Sequence, residues 1–112
     1  MPFINSKVNF SVTEEQLQSL KGQLGQAIGI FPGKTERYLM LNFDQNCRMF
    51  FAGEDSFRMA MIEVKVFGKL SRCDEMTERL TEIFATELDI APDKIYVKYE
   101  ECYNWGMGGS NF

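Results

Sequence analysis

Apolar residues recur at two different periods along this 112-residue chain. Leu17, Leu20, Leu24, Ala27 and Ile28 follow one another at helical spacings, which lays one apolar stripe along an amphipathic helix. Thr13-Glu14-Glu15-Gln16 marks its start, a hydroxyl residue with Gln three positions on being the capping-box pattern. Gly29, Pro32 and Gly33 mark its end. A second stripe, Met76, Leu80, Ile83, Phe84 and Leu88, predicts a helix from about Cys73 to Leu88, with Asp74 and Glu75 placed to favour the positive end of its dipole. Elsewhere the pattern is that of strands: Phe3 to Phe10, Tyr38 to Phe43, Phe57 to Phe67, and Lys94 to Glu100. In the third of these Glu63 and Lys65 alternate with Val64 and Val66, as in a strand with one buried and one wetter face. Asp44-Gln45-Asn46 reads as a turn into a short partner strand, Cys47 to Phe51, and Ala52 to Asp55 turns the chain again.

The order strand, helix, strand occurs twice, and in each half the second strand should return parallel to the first. The joints are alike: Ile30-Phe31-Pro32-Gly33-Lys34 in one half, Ile90-Ala91-Pro92-Asp93-Lys94 in the other. Two βαβ units sharing one sheet, both helices on one face, define a single α/β domain over residues 1–112. The opposite sheet face is expected to be apolar and uncovered, so self-association follows as the way to bury it. The tail from Trp105 to Phe112 is too glycine-rich for the interior of a regular element, yet its two terminal aromatics should dock it.

Composition narrows the function more than the fold. A net charge of −4 offers no global attraction to nucleic acid or anionic membranes. No stretch is apolar for long enough to span a bilayer, and the start MPFINSKVNF has neither the basic residues nor the apolar run of a signal peptide, so the cytosol is the default address. Cys47, Cys73 and Cys102 are odd in number and widely spaced, and read as reduced thiols. The absence of histidine removes His-based triads, imidazole acid–base pairs and His-ligated metals.

Five blocks carry a family resemblance: Pro2 after Met1, Gly33 to Tyr38, Met49-Phe50-Phe51-Ala52-Gly53, Pro92 to Tyr96, and the ending Asn104-Trp105-Gly106 through Gly109-Ser110-Asn111-Phe112. In order and spacing, over essentially the whole chain, they resemble the macrophage migration inhibitory factor (MIF) family of the tautomerase superfamily. The resemblance implies an α+β sandwich of two pseudo-duplicated βαβ units per subunit, and a homotrimer whose sheets form a central barrel. It also implies keto–enol isomerase activity on phenylpyruvate-like or dopachrome-like substrates, with no metal or organic cofactor. A cytokine-like or host-modulating binding protein with a receptor partner and a vestigial pocket is the alternative that it leaves open, as is export without a signal peptide.

The same resemblance assigns roles. Pro2 would be the acid–base catalyst, which requires removal of Met1 so that the proline nitrogen becomes a free amine, kept neutral by burial and nearby cations. Lys34 would grip the substrate's carboxylate or carbonyl oxygen and stabilise enolate charge. Tyr96, from a neighbouring subunit, would face an aromatic substrate. Val66, Trp105, Met107 and Phe112 would shape the apolar pocket. Lys98 stands where human-type members carry Asn, and if it enters the pocket it should favour carboxylates. The C-x-x-C of human-type members is replaced by Arg58-Met59-Ala60-Met61, so thiol oxidoreductase activity is not expected.

Overall fold

The capping box closes as its residues require: Thr13 Oγ1 accepts from the Gln16 N–H at 3.1 Å, and Gln16 Oε1 accepts from the Thr13 N–H at 3.0 Å. In the computed structural model, which describes every residue from Met1 to Phe112, helix α1 then runs Glu14–Ala27 and tightens into a 3₁₀ turn at Ile28–Ile30. Helix α2 spans Cys73–Leu88, as the stripe predicts, and buries Met76, Leu80, Ile83, Phe84 and Leu88. It lacks a side-chain cap at its start, but at its end Arg58 Nη1 donates to the Leu88 carbonyl at 2.7 Å, supplying a cation where the dipole favours one. The guanidinium also lies 4.4 Å from the centroid of the Phe10 ring.

Four strands, β1 (Pro2–Val8), β2 (Met40–Asp44), β3 (Ala60–Phe67) and β4 (Ile95–Cys102), form one mixed sheet in the order β2-β1-β3-β4. β1 and β2 are parallel, β3 and β4 are parallel, and the two halves meet along the antiparallel β1–β3 pair. The inferred duplication is therefore realised as two like βαβ units about the sheet centre. Ile4 and Val8 from β1, with Ala60, Ile62, Val64 and Val66 from β3, point toward the helices and join their stripes in one core.

The other sheet face differs from the sequence expectation. It is apolar only at its ends: Asn5, Lys7, Asn42, Asp44, Glu63, Lys65, Lys98 and Glu100 project from its middle, while Phe3, Met40 and Phe67 stand at one end and Met61 and Tyr96 at the other, as the registers require. Lys7, Glu63, Lys98, Glu100 and Lys65 form a chain of alternating charge across three strands, with successive contacts of 3.4, 3.8, 3.1 and 4.0 Å. Lys7 and Asn5 both donate to Glu63, and these bonds hold its carboxyl below the usual range against the opposing effect of burial. A face built this way leaves Met40 and Tyr96 exposed at its two ends, so only these ends offer apolar surface to a partner.

Three boundaries also differ. Cys47 to Phe51 forms no hairpin strand; the Cys47 N–H donates to the Val8 carbonyl at 2.9 Å and Phe51 makes only an isolated bridge to Glu54. Glu36–Tyr38 is a 3₁₀ turn, so β2 begins at Met40 rather than Tyr38. The tail folds into a small hairpin, β5 (Gly106–Met107) and β6 (Ser110–Asn111), because Gly108 and Gly109 accept φ of 62° and 92° in the two-residue turn between them.

One core position is imperfect. Ser6, 1% exposed on the helix side of β1, has a hydroxyl with no hydrogen-bond partner. A buried hydroxyl without a partner costs about 1–3 kcal/mol. Ser6→Ala should therefore raise unfolding stability by about 1 kcal/mol in urea titrations, and a loss of that size would show that the hydroxyl is satisfied.

Candidate active site

Pro2 opens β1, where a residue without an N–H costs the ladder little, and pairs with Val66 across β3. The next residue of β3 organises the surroundings through its main chain. The Phe67 N–H donates to the Met1 carbonyl at 3.0 Å, and the Phe67 carbonyl accepts from Lys34 Nζ at 3.0 Å. Lys34 reaches this point from the loop after α1, where its own N–H donates to the Phe31 carbonyl at 3.1 Å and Gly33 turns the chain with φ of 76°. The terminal amine is held below the ordinary range by burial first, then by the charge and hydrogen bond of Lys34. These two effects are the ones that keep an amine neutral and basic.

Beside Pro2 lies a cavity of about 360 Å³. Met1, Pro2 and Phe3 from the start of β1, Tyr38 and Met40 from the entry to β2, and Trp105, Gly106 and Met107 from the terminal hairpin line it. The hairpin closes on itself through the Phe112 N–H, which donates to the Trp105 carbonyl at 3.0 Å. The Phe112 ring packs 5.9 Å from that of Phe67, so Phe112 braces the hairpin and does not line the cavity. A Cβ at Gly106 would approach Asn111 Oδ1 to 2.9 Å, so the Asn111 side chain would have to shift to admit one.

Pro2, Lys34, Trp105 and Met107 are thus brought to one end of the sheet. Three other sequence candidates are placed elsewhere within this chain. Val66 is fully buried in the core beneath Pro2 and presents no surface to the cavity. Tyr96 pairs with Met61, five residues from Val66 along β3, or about 17 Å at the usual strand rise. Its ring is 58% exposed and packs 5.2 Å from that of Phe51. Lys98 lies on the polar sheet face, ion-paired to Glu100 at 3.1 Å and Glu63 at 3.8 Å, and the hydrogen bond and charge of Glu100 raise its pKa. Within one chain Lys98 therefore adds no free charge to the Pro2 cavity.

Sequence inspection missed Tyr38, Met40 and the main chain of Phe67. Alternation along β1 and β2 places Phe3 beside Met40, but only the tertiary path of the tail shows that this end of the sheet is enclosed. Main-chain donors carry no residue signature at all.

Comparison with known proteins gives one consistent answer. The family model for macrophage migration inhibitory factor matches residues 1–112. The MIF of the gerbil Meriones unguiculatus is 32% identical over 117 residues, covering 100% of this chain and 97% of the relative. Among solved structures, Leishmania major MIF2 is similar at a TM-score of 0.92 and 26% identity, covering 100% of this chain and 97% of its own. The MIF homologue of Prochlorococcus marinus follows at 0.80 and 28%, covering 98% of each chain. The paired βαβ units, the proline that opens β1 and the full-length match together establish that this chain belongs to the macrophage migration inhibitory factor family, which is associated with tautomerase activity.

Proposed function

We propose that the protein is a cofactor-independent keto–enol tautomerase of phenylpyruvate-like or dopachrome-like substrates, acting as a homotrimer after loss of Met1. The observation that carries this reading is the convergence of Pro2, Lys34 and the Phe67 N–H beside an apolar cavity. With Met1 gone, the proline nitrogen becomes a secondary amine in the surroundings that depress the present terminal amine. Its neutral form takes a proton from the carbon next to the substrate carbonyl. The electron pair moves to the carbonyl oxygen, and the proton is returned to that oxygen to complete the enol; the reverse sequence gives the keto form.

Two donors are available for the developing oxygen charge. Lys34 brings a positive charge, and the Phe67 N–H loses its Met1 partner when that residue is removed, so a substrate oxygen can take the place of the Met1 carbonyl. The aromatic side of the substrate would lie against Tyr38, Trp105 and Met107. Tyr96 is too far along the sheet to reach Pro2 of its own chain, which favours a head-to-tail ring in which each subunit lends Tyr96 to the next.

The test starts with intact mass to select the Met1-free protein, followed by light scattering at micromolar concentration and a phenylpyruvate enol–keto assay. A trimer with turnover is expected. Lys34→Ala should lower kcat/KM by about 10²-fold, the usual loss for one oxyanion donor. A monomer with undiminished turnover would remove the ring from the reading, and a processed protein without turnover would remove the chemistry.

A further inference from the structure

The seven methionines of this chain are not equally placed. Met59 and Met76 are buried in the core region, whereas Met40 and Met107 are 68% and 48% exposed, the two large-surface methionines of the molecule. Both line the Pro2 cavity, Met40 from β2 and Met107 from the terminal hairpin. Trp105, the single tryptophan, lines the same cavity. The side chains most accessible to a small oxidant are therefore also those that make the cavity apolar.

We infer that Met40 and Met107 are a paired oxidation site through which hydroperoxides close the cavity to aromatic ligands. The step balances simply. The thioether sulfur attacks the hydroxyl oxygen of the peroxide, an S–O bond forms as the O–O bond breaks, the sulfur is oxidised by two electrons, and the proton of the attacked oxygen passes to the other oxygen, which leaves as water or alcohol. Each sulfoxide is a polar, chiral group on a largely apolar wall, so an aromatic ring pressed against it must strip its water. Methionine sulfoxide reductases reverse the change, one enzyme for each epimer. The three cysteines are only partly exposed and do not line the cavity; Cys73 is further held as the thiol by burial, then by Asp74 and Glu101.

The inference concerns the same cavity as the proposed tautomerase and rests on that reading only for its effect on turnover. Its test uses the Met1-free protein treated with graded hydrogen peroxide. Peptide mass mapping should find the first two oxygens on Met40 and Met107, before Met49, Met59, Met61 and Met76. Phenylpyruvate titration, followed by quenching of Trp105 emission, should show about tenfold weaker binding after oxidation and recovery after treatment with both reductases. In the double variant M40L/M107L the ratio of affinities before and after peroxide should stay at one.

Earlier oxidation at other methionines would overturn the inference, as would an unchanged affinity in the doubly oxidised protein. A peroxide-dependent loss that persists in M40L/M107L would overturn it too, placing the sensitive group elsewhere. Mass mapping and Trp105 quenching need no turnover. Binding that is lost on oxidation in a protein without isomerase activity therefore defeats the tautomerase reading and keeps this one, and full activity in the doubly oxidised protein does the reverse.

Discussion

Pro2→Gly should lower kcat/KM for phenylpyruvate by about 10²–10³-fold, within the range that a positioned acid–base group contributes. Glycine at this position still permits removal of Met1 and still leaves an amine, so the loss reads the ring rather than the charge. The pyrrolidine fixes φ and holds the nitrogen beside the cavity, whereas a terminal glycine samples many orientations. Because the residue opens its strand and pairs through β3, thermal unfolding of the variant should stay close to the parent value. A variant that retains activity within a few-fold would show that the pyrrolidine ring is not needed and that any terminal amine here suffices.

The pH profile provides the companion measurement. An amine acts as a base only when neutral, so kcat/KM should rise with pH through the amine pKa and then level off. Burial and Lys34 lower the pKa of the Met1 amine, and a proline amine in the same surroundings should have its rising limb moved to lower pH. In Lys34→Ala the cation is gone, the protonated amine is less disfavoured, and the limb should move to higher pH. A limb that stays in place would take Lys34 out of the amine's surroundings.

Phe84→Ala should be the most damaging single change to the fold, costing roughly 3–5 kcal/mol in urea unfolding. Phe84 is fully buried on α2, among the large side chains that join the helix layer to the sheet. Truncation removes the transfer energy of the ring and leaves a cavity that close-packed neighbours fill poorly. Since whole domains are stable by only about 5–15 kcal/mol, a large part of the native margin would go. The midpoint should be compared at fixed protein concentration, because association adds a concentration-dependent contribution. A loss below about 1 kcal/mol would mean that the helix layer closes over the gap.

What the sequence disclosed follows from what each kind of pattern encodes. Helical stripes report burial directly, which is why Cys73–Leu88 was bounded correctly and why the α1 cap formed as read. The duplicated order implied parallel returns because a crossover helix permits little else. The segment Cys47 to Phe51 misled because its apolar residues fit a strand, while its hydrogen bonds depend on where β1 ends. The open sheet face is apolar only at its ends, Met61 and Tyr96 at one and Phe67 at the other, because Glu63, Lys65, Lys98 and Glu100 occupy the alternate positions between them. For the site, Pro2, Lys34, Trp105 and Met107 were reached through family resemblance and meet in space. Val66 is buried in the core, and it is the main chain of the next residue, Phe67, that holds both Met1 and Lys34. Whether a backbone donor is engaged is invisible in a string of side chains.

The alternating charges of the sheet bear on how the molecule meets others at a distance. Lys7, Lys65 and Lys98 are matched by Asp44, Glu63 and Glu100 on that face, so its formal charge is zero. The whole −4 of the chain therefore resides on the helix layer, loops and tail. Copies that turn their sheets inward would bring together neutral surfaces and present acidic ones outward. Such a ring can close without long-range repulsion, yet repels any further ring that approaches its flank, and at physiological ionic strength that repulsion reaches about 8 Å. Growth would thereby stop at the closed assembly that we propose, and crowded solutions of it should remain colloidally dispersed.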